Sequence, residues 1–149
     1  MYKAQNIATY IIQYATNKGK NITNLKLQKV LYYVQGYFLK EYEKPAFNDE
    51  IKNWTYGPVV PGVYYNYCSY GSEPLKENDN ETFSFLSNDH KKLLNNVINS
   101  CLDIPSFKLV KQTHSEDPWK NSSWSGLISR ESILKYFANN DPLKLGEVK

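Results

Sequence analysis

The sequence predicts a mainly α-helical, compact single domain over residues 1–149, a bundle of about five to six helices around one central helix. Apolar residues recur at steps of three and four, and caps and breakers separate these periodic segments. The composition, with 41% hydrophobic and 22% charged residues, is ordinary for a folded chain. A chain of 149 residues can bury a sizeable core in one domain.

The first two helices show the clearest periodicity. An apolar stripe begins at Ala4, and Gly19 suits a left-handed C-cap after it. Thr23 can cap a second helix that runs from about residue 25 to residue 41. Since this second helix is apolar on two sides, we expect it to be the central one.

Three residues of the second helix carry specific expectations. Gly36 lies beside one apolar side, and we predict a packing glycine, since a missing side chain admits a neighbour at roughly 1 kcal/mol cost in helix propensity. Lys26 and Lys29 project between the two apolar sides, and both are expected to reach water by their stems.

The segment after the second helix is polar and broken. Ile51, Trp54 and Tyr56 are compatible with strands, so we expect a short β-hairpin or two-stranded element near residues 48–56, before a turn at Gly57-Pro58. Pro61 suits the first turn of a third helix.

Caps and breakers mark further helices in the second half of the chain. The residues that bound them are Ser87 or Asn88 as a cap, Pro105 as a separator, the Asp117-Pro118 step as a turn, and Ser129 as the last cap. Residues 72–82 are expected to form a mobile acidic loop, and residues 139–149 a flexible polar tail.

Composition argues against several classes of function. The 18 basic residues are scattered among 15 acidic ones and include one arginine, Arg130, so nucleic-acid binding is not indicated. No apolar run approaches the ~20 residues of a membrane span, so no membrane association is expected and a cytoplasmic location is predicted. Cys68 and Cys101 are expected to be buried free thiols, and neither a metal site nor another cofactor is predicted.

Candidate catalytic groups are few. His90 is interpreted as a surface residue, whereas His114 is followed by Glu116, Asp117 and Trp119. These residues either orient the imidazole or form a plain structural turn. Because no nucleophile elbow, phosphate-binding glycine loop or zinc-protease motif is present, we predict that the protein is not an enzyme.

The best candidate for a recognition surface is residues 54–61, WTYGPVVP. Two prolines and a glycine restrict the unfolded ensemble, so the segment can hold its aromatic residues in defined directions at low entropic cost. Buried at an interface, a Trp or Tyr can contribute about 2 kcal/mol or more. The alternative is that Trp54 and Tyr56 fill the protein's own core. The predicted partner-binding residues are Trp54, Tyr56, Gly57, Pro58, Pro61, Tyr64, Tyr65, His114, Asp117 and Trp119.

Four segments together resemble a known family. LKLQKVLYYVQG at residues 25–36 and WTYGPVVPGVY at residues 54–64 resemble the Panacea domain of SocA-like antitoxins, and THSEDPW at 113–119 and ISRESILKYF at 128–137 are similar to its later motifs. The resemblance implies a mostly helical domain that neutralises unrelated toxins by direct contact, encoded beside them in bacteria and phages. The expected partner is therefore a cognate toxin.

Two alternatives remain open at this point. The protein could be a proteolytic adaptor that delivers a client to a protease, as the resemblance implies for one branch of the family. It could also be a phage effector that binds a host enzyme. The sequence does not predict which toxin is bound, or the oligomeric state.

Overall fold

The computed structural model describes residues 1–77 and 82–146. In chain order its elements are α1 (Ala4–Asn17), α2 (Asn24–Tyr42), β1 (Lys52–Trp54), β2 (Gly57–Val59), α3 (Pro61–Tyr67), α4 (Asn88–Leu102), α5 (Ser106–His114), α6 (Asp117–Lys120) and α7 (Arg130–Asn139). The predicted mainly helical fold is confirmed. The described residues hold seven α-helices because Asp117-Pro118 begins a one-turn helix and not a plain turn.

Helix α2 is the centre of the bundle, as predicted, with α1, α3, α4, α5, α7 and β2 packed around it. The Thr23 hydroxyl accepts a hydrogen bond from the Lys26 N–H at 3.3 Å and caps its start. Glu43, with a φ of 55°, ends it in the left-handed conformation. Since neighbours cover α2 on nearly every side, the side chains from Leu27 to Leu39 are almost all buried.

Gly36 is the predicted packing glycine. The ring of Phe137 on α7 lies directly over it, and an ideal Cβ at position 36 would stand 2.3 Å from Phe137 Cε1. Phe137 also packs edge-on against Tyr32 and Tyr37, at centroid distances of 5.7 and 5.3 Å. The missing side chain therefore lets α7 approach α2 closely.

The prediction that Lys26 and Lys29 reach water was wrong for Lys29. Its side chain has no solvent-accessible surface, and Nζ donates a hydrogen bond to the carbonyl oxygen of Pro58 at 3.0 Å. Lys26 is also largely buried and donates to the Leu102 carbonyl at 3.4 Å. The strands lie over the side of α2 that its sequence pattern assigned to solvent.

The two strands form the expected hairpin, with Lys52 opposite Val59 and Trp54 opposite Gly57. The turn lies at Thr55 and Tyr56, so the predicted turn at Gly57-Pro58 is corrected: both residues belong to β2. Gly57 has a φ of +109°, a conformation that favours glycine and lets the chain enter β2 directly after the turn.

Both free edges of this hairpin are occupied. Along β1, the Asn53 N–H donates to the Gly126 carbonyl at 2.9 Å and the Ser125 N–H donates to the Asn53 carbonyl at 2.6 Å. Along β2, Pro58 has no N–H and its carbonyl accepts from Lys29 Nζ at 3.0 Å, and just beyond the strand the Val60 N–H donates to Gln28 Oε1 at 2.9 Å. The hairpin thus leaves little backbone for another strand to pair with.

Other predictions about local structure had mixed outcomes. Cys101 is buried as predicted, but Cys68 is exposed, because it lies just beyond α3 in a 3-10 turn. Of the predicted acidic loop, residues 78–81 lie outside the described residues, and the mobility of the loop stays a prediction. No helix in the described ranges has the length and apolarity needed to cross a bilayer.

The segment after α7 is held against α2 as far as residue 146. The Tyr37 hydroxyl donates to Asp141 and accepts from the Leu143 N–H at 2.9 Å, and Leu143 is buried. Residues 147–149 lie outside the described residues. The flexibility of residues 139–149 and the domain boundaries stay predictions.

Candidate functional site

A groove of about 620 Å³ opens between α2, the hairpin and α3. We call it the aromatic groove. Its lining residues include Trp54, Tyr56, Tyr64 and Trp124 from the hairpin, α3 and the loop before α7, and Asn24, Leu25, Gln28 and Lys29 from α2. Three of the ten predicted partner-binding residues, Trp54, Tyr56 and Tyr64, therefore line one cavity.

The rings around the groove hold each other in fixed directions. Trp54 packs edge-on against Tyr64 and Tyr65, with ring centroids 5.2 and 6.0 Å apart. Such pairs add attraction beyond the area they bury. Even so, Tyr56 is 66% exposed, Tyr65 62% and Trp124 74%. Large apolar rings so exposed and so close together are typical of a surface that binds another molecule.

Residues far along the chain brace the hairpin turn. His114 Nε2 lies 3.0 Å from the Thr55 carbonyl, and since a carbonyl can only accept, this nitrogen carries the proton. Trp119 Nε1 donates to the Trp54 carbonyl at 2.9 Å. The His114 and Trp119 rings stack at 4.0 Å. Both predicted residues are thus placed behind the turn, as a brace.

The predicted glycine and prolines shape the backbone beside the groove. Pro58 is buried and offers its carbonyl to Lys29, and Pro61 occupies the first turn of α3. A Cβ at Gly57 would stand 2.7 Å from Lys29 Cε and 2.8 Å from Thr113 Oγ1. The hairpin therefore sits on the Lys29 stem at a distance that only glycine permits.

Asp117 is not brought to the groove. It is exposed, with Oδ1 4.0 Å from Lys120 Nζ, and its part in partner binding stays a prediction. The preceding carboxylate, Glu116, is buried and accepts hydrogen bonds from the Tyr32 and Tyr33 hydroxyls, each at 2.9 Å. Burial raises the pKa of Glu116 to about 7.

Sequence analysis missed several groove residues. Trp124 was interpreted only as part of the approach to the last helix, yet it is an exposed wall of the groove whose Nε1 donates to Thr55 Oγ1 at 3.3 Å. A tryptophan in a polar, serine-rich loop is the signal that could have identified it. Lys29 was also missed, and burial lowers its pKa to about 7. The residues next to Lys29 in the sequence do not indicate that its side chain is buried.

Comparison of the sequence with known protein families identifies the family of this chain. A model described as "Antitoxin SocA-like, Panacea domain" matches residues 27–120, well over half of the chain, including the hairpin, α3 and the brace. The chain belongs to the SocA-like Panacea domain family. The predicted family resemblance is thereby confirmed.

One curated relative gives a more distant match to this Panacea domain. Antitoxin SocA of Caulobacter vibrioides (strain NA1000 / CB15N) is 35% identical over 68 residues, which is 46% of this chain and 36% of that protein. The alignment thus spans only about a third of the relative's length. No solved structure matches the chain significantly.

No metal-binding cluster is formed by the part of the chain that the structure describes: no group of three or more His, Cys, Asp or Glu side chains there could hold an ion. His90, the other histidine, hydrogen-bonds to Tyr2 through Nδ1 and packs edge-on against Phe38 and Tyr42. Neighbouring rings therefore account for its position.

Proposed function

We propose that this protein is an antitoxin that binds and neutralises a co-encoded toxin by direct protein–protein contact at the aromatic groove. The observation that carries the proposal is the position of the groove: most of its lining lies inside the region shared with the SocA-like family. A family of antitoxins and an exposed cluster of rings in the shared region support the same function.

The brace favours tight binding. His114 and Trp119 hold the hairpin turn from behind, so Trp54 and Tyr56 lose little conformational freedom when a partner covers them. Preorganised aromatic side chains at the centre of an interface can each contribute about 2 kcal/mol or more. A few such anchors suffice for a stable complex.

The mode of recognition follows from the hairpin edges. Backbone groups of residues 125–128 cover β1, and Pro58 together with Gln28 blocks β2. A toxin segment is thus expected to bind through side chains in the groove and not by adding a strand to the sheet. Such binding neutralises by occlusion and requires no bond-making group.

Co-expression with the product of the adjacent gene tests the proposal. We expect the neighbouring gene to arrest growth alone and to be harmless beside the intact protein. Tyr56→Ala and Tyr65→Ala should restore toxicity, because Tyr56 lines the groove, Tyr65 packs against the groove residues Trp54 and Tyr64, and both rings are exposed. Phe107→Ala is the matched control: Phe107 is equally exposed, on α5, and does not line the groove.

The amount of toxin separates occlusion from delivery to a protease. Under occlusion the toxin accumulates as a soluble complex, whereas an adaptor would shorten its half-life. A neighbour that is harmless alone, or that stays lethal beside the intact protein, contradicts the proposal. Full protection by both tyrosine variants would show that the aromatic groove is not the contact surface.

A further inference from the structure

Trp124 is an exposed wall of the aromatic groove that belongs to neither the hairpin nor α3. After Met1 it is the most exposed large apolar side chain of the described residues, at 74%. It lies in the loop between α6 and α7, and its Nε1 donates to Thr55 Oγ1 at 3.3 Å. An indole ring is among the largest apolar surfaces that a side chain can offer to a partner. The contacts that hold this loop therefore shape one wall of the groove.

The side chain of Asn53, in the middle of β1, holds the start of this loop. Its Nδ2 lies 2.8 Å from the Trp119 carbonyl oxygen, 2.8 Å from Ser122 Oγ and 3.2 Å from the Ser122 carbonyl oxygen. Asn53 is 3% exposed, so these hydrogen bonds are shielded from water. An amide group has two N–H donors to give, whereas an ionised Asp at this position would have none. The Asn53 amide therefore fixes residues 119–122 against β1.

The backbone of the same residue holds the end of the loop. The Asn53 N–H donates to the Gly126 carbonyl at 2.9 Å, and its carbonyl accepts from the Ser125 N–H at 2.6 Å. Ser125 has a φ of 64°, a left-handed conformation that costs free energy in a non-glycine residue and persists where surrounding contacts impose it. The chain on both sides of Trp124 is thus attached to one residue of β1, and the ring is held at the groove in the free protein.

The groove offers no accessible charge to a partner. No lining residue is Asp or Glu, and the one lysine, Lys29, has no accessible surface. Tyr56 and Trp124 are exposed walls, and Leu25 and Tyr64 also line the groove. A charged partner group would lose its water there without gaining a counter-ion. A partner side chain that fits this lining is therefore apolar and uncharged.

We propose that Trp124 contacts the toxin, packing on an uncharged apolar side chain that enters the aromatic groove, and that Asn53 positions Trp124 through the loop of residues 119–126. This inference rests on the proposed function and adds to it a contact residue and a positioning residue. Asn53 is buried and does not line the groove, so it acts on the partner through the loop alone. Since the loop is held before binding, the indole loses little conformational freedom when a partner covers it.

Binding of the adjacent gene's product tests the contact. We expect Trp124→Ala to raise the dissociation constant about thirtyfold, the effect of losing one buried aromatic anchor. Phe107→Ala is the matched control: its ring is also exposed but lies on α5 outside the groove, so its dissociation constant should equal that of the parent. Because salt does not screen an apolar contact, the factor for Trp124→Ala should be the same at about 0.05 M and about 0.5 M NaCl. A factor that falls at the higher salt concentration would reveal a charged partner group on the indole and overturn the apolar assignment.

Asn53→Asp tests the positioning. The variant keeps the shape of the side chain but sets carboxylate oxygens, in place of N–H donors, against the carbonyls of Trp119 and Ser122. In the protein without the toxin, we expect the heteronuclear NOE of the Trp124 indole N–H to fall, because the released loop moves. Affinity for the adjacent gene's product should drop about tenfold in Asn53→Asp, but by less than about twofold when Trp124→Ala is already present, since the effect passes through the ring. Gly36→Ala, which strains the contact with Phe137, is the control and should change neither measurement.

The outcomes separate this inference from the proposed function. Parent-like binding by Trp124→Ala refutes the contact and leaves the proposed function standing. An unchanged Trp124 indole signal in Asn53→Asp, or a loss of about tenfold that persists in the Trp124→Ala background, refutes the positioning. If Asn53→Asp does not fold, Ser122→Ala, which removes one acceptor of the Asn53 amide, decides the positioning by the same NOE measurement. Absence of binding by the unaltered protein refutes the proposed function and this inference with it.

Discussion

The carbonyl oxygen of Pro58 accepts a hydrogen bond from the buried Nζ of Lys29 at 3.0 Å, and this bond joins the hairpin to the central helix. The Lys29 stem also passes beneath Gly57, so the hairpin and α2 share one contact surface. One side chain thus supports the hairpin from beneath and also lines the aromatic groove.

The stability of the protein should depend on pH through Lys29. Its pKa is about 7 in the folded protein against an ordinary value of 10.5, so between these values the unfolded chain binds a proton that the folded chain does not. The free energy of unfolding therefore rises with pH in this window, by on the order of 1 kcal/mol per pH unit. Below pH 7 both states hold the proton, so the slope vanishes and the cost of burying the charge is at its greatest. Urea unfolding at pH 7, 8 and 9 measures the slope.

Lys29→Met should remove this pH dependence, so the unfolding free energy of the variant minus that of the parent should fall steadily from pH 7 to pH 9. Lys111→Met, which replaces an exposed lysine on α5, is the control and should leave the slope unchanged. A parallel slope in Lys29→Met would contradict the assignment.

Because of Glu116, the free energy of unfolding should have the opposite dependence on pH at lower pH. Burial raises its pKa to about 7 from 4.5, so between these values the folded protein holds a proton that the unfolded chain releases. This contribution to stability is complete below pH 4.5 and declines as pH rises to 7, by on the order of 1 kcal/mol per unit. Glu116→Gln should abolish the decline in unfolding experiments at pH 5, 6 and 7. The exposed Glu41→Gln should preserve it.

Gly36→Ala should destabilise the protein although alanine is the better helix former. The added Cβ meets the Phe137 ring at 2.3 Å, and such overpacking costs about 1–3 kcal/mol. Gly62→Ala is a matched control within α3, since its Cβ would find its nearest neighbour, Asp49 Oδ2, at 3.9 Å. We expect Gly62→Ala to be neutral or stabilising by up to about 1 kcal/mol. Thermal unfolding of both variants checks the prediction, and equal effects would refute it.

Trp119→Phe should loosen the hairpin turn. It retains an aromatic ring against His114 but removes the Nε1–H that donates to the Trp54 carbonyl at 2.9 Å. We expect a loss of about 0.5–1.5 kcal/mol in the free energy of unfolding. Trp124→Phe removes a longer and exposed hydrogen bond, so its effect should be smaller. The prediction fails if Trp124→Phe costs as much as Trp119→Phe.

Helix positions were predictable because their signals are local. Thr23, Ser87 and Ser129 each accept a hydrogen bond from the N–H three residues later, a geometry that depends only on the adjoining chain. The structure decides between the two proposed caps of α4 in favour of Ser87. Gly36 was also predictable, since a glycine within a two-sided apolar helix has few uses other than close packing.

The brace and the buried charges were less accessible to sequence analysis. The contact of His114 with Thr55 spans 59 positions, and that of Glu116 with Tyr32 spans 84. Asp117 and Glu116 are adjacent acids, and nothing in the local pattern indicates that the first is exposed and the second buried. Trp124 became a groove residue only because residues 125–128 lie along β1.

The amino-acid sequence by itself determined the helical class, the central position of α2, the family and the aromatic segment of the candidate site, because periodicity, caps and rigid motifs act over a few residues. Only the tertiary structure decided that Lys29 is buried beneath the hairpin, that Glu116 is buried among tyrosines, and that Trp124 completes a wall. The environment of a polar side chain depends on which distant element covers it, and a helical pattern specifies the face of a side chain but not what packs against that face.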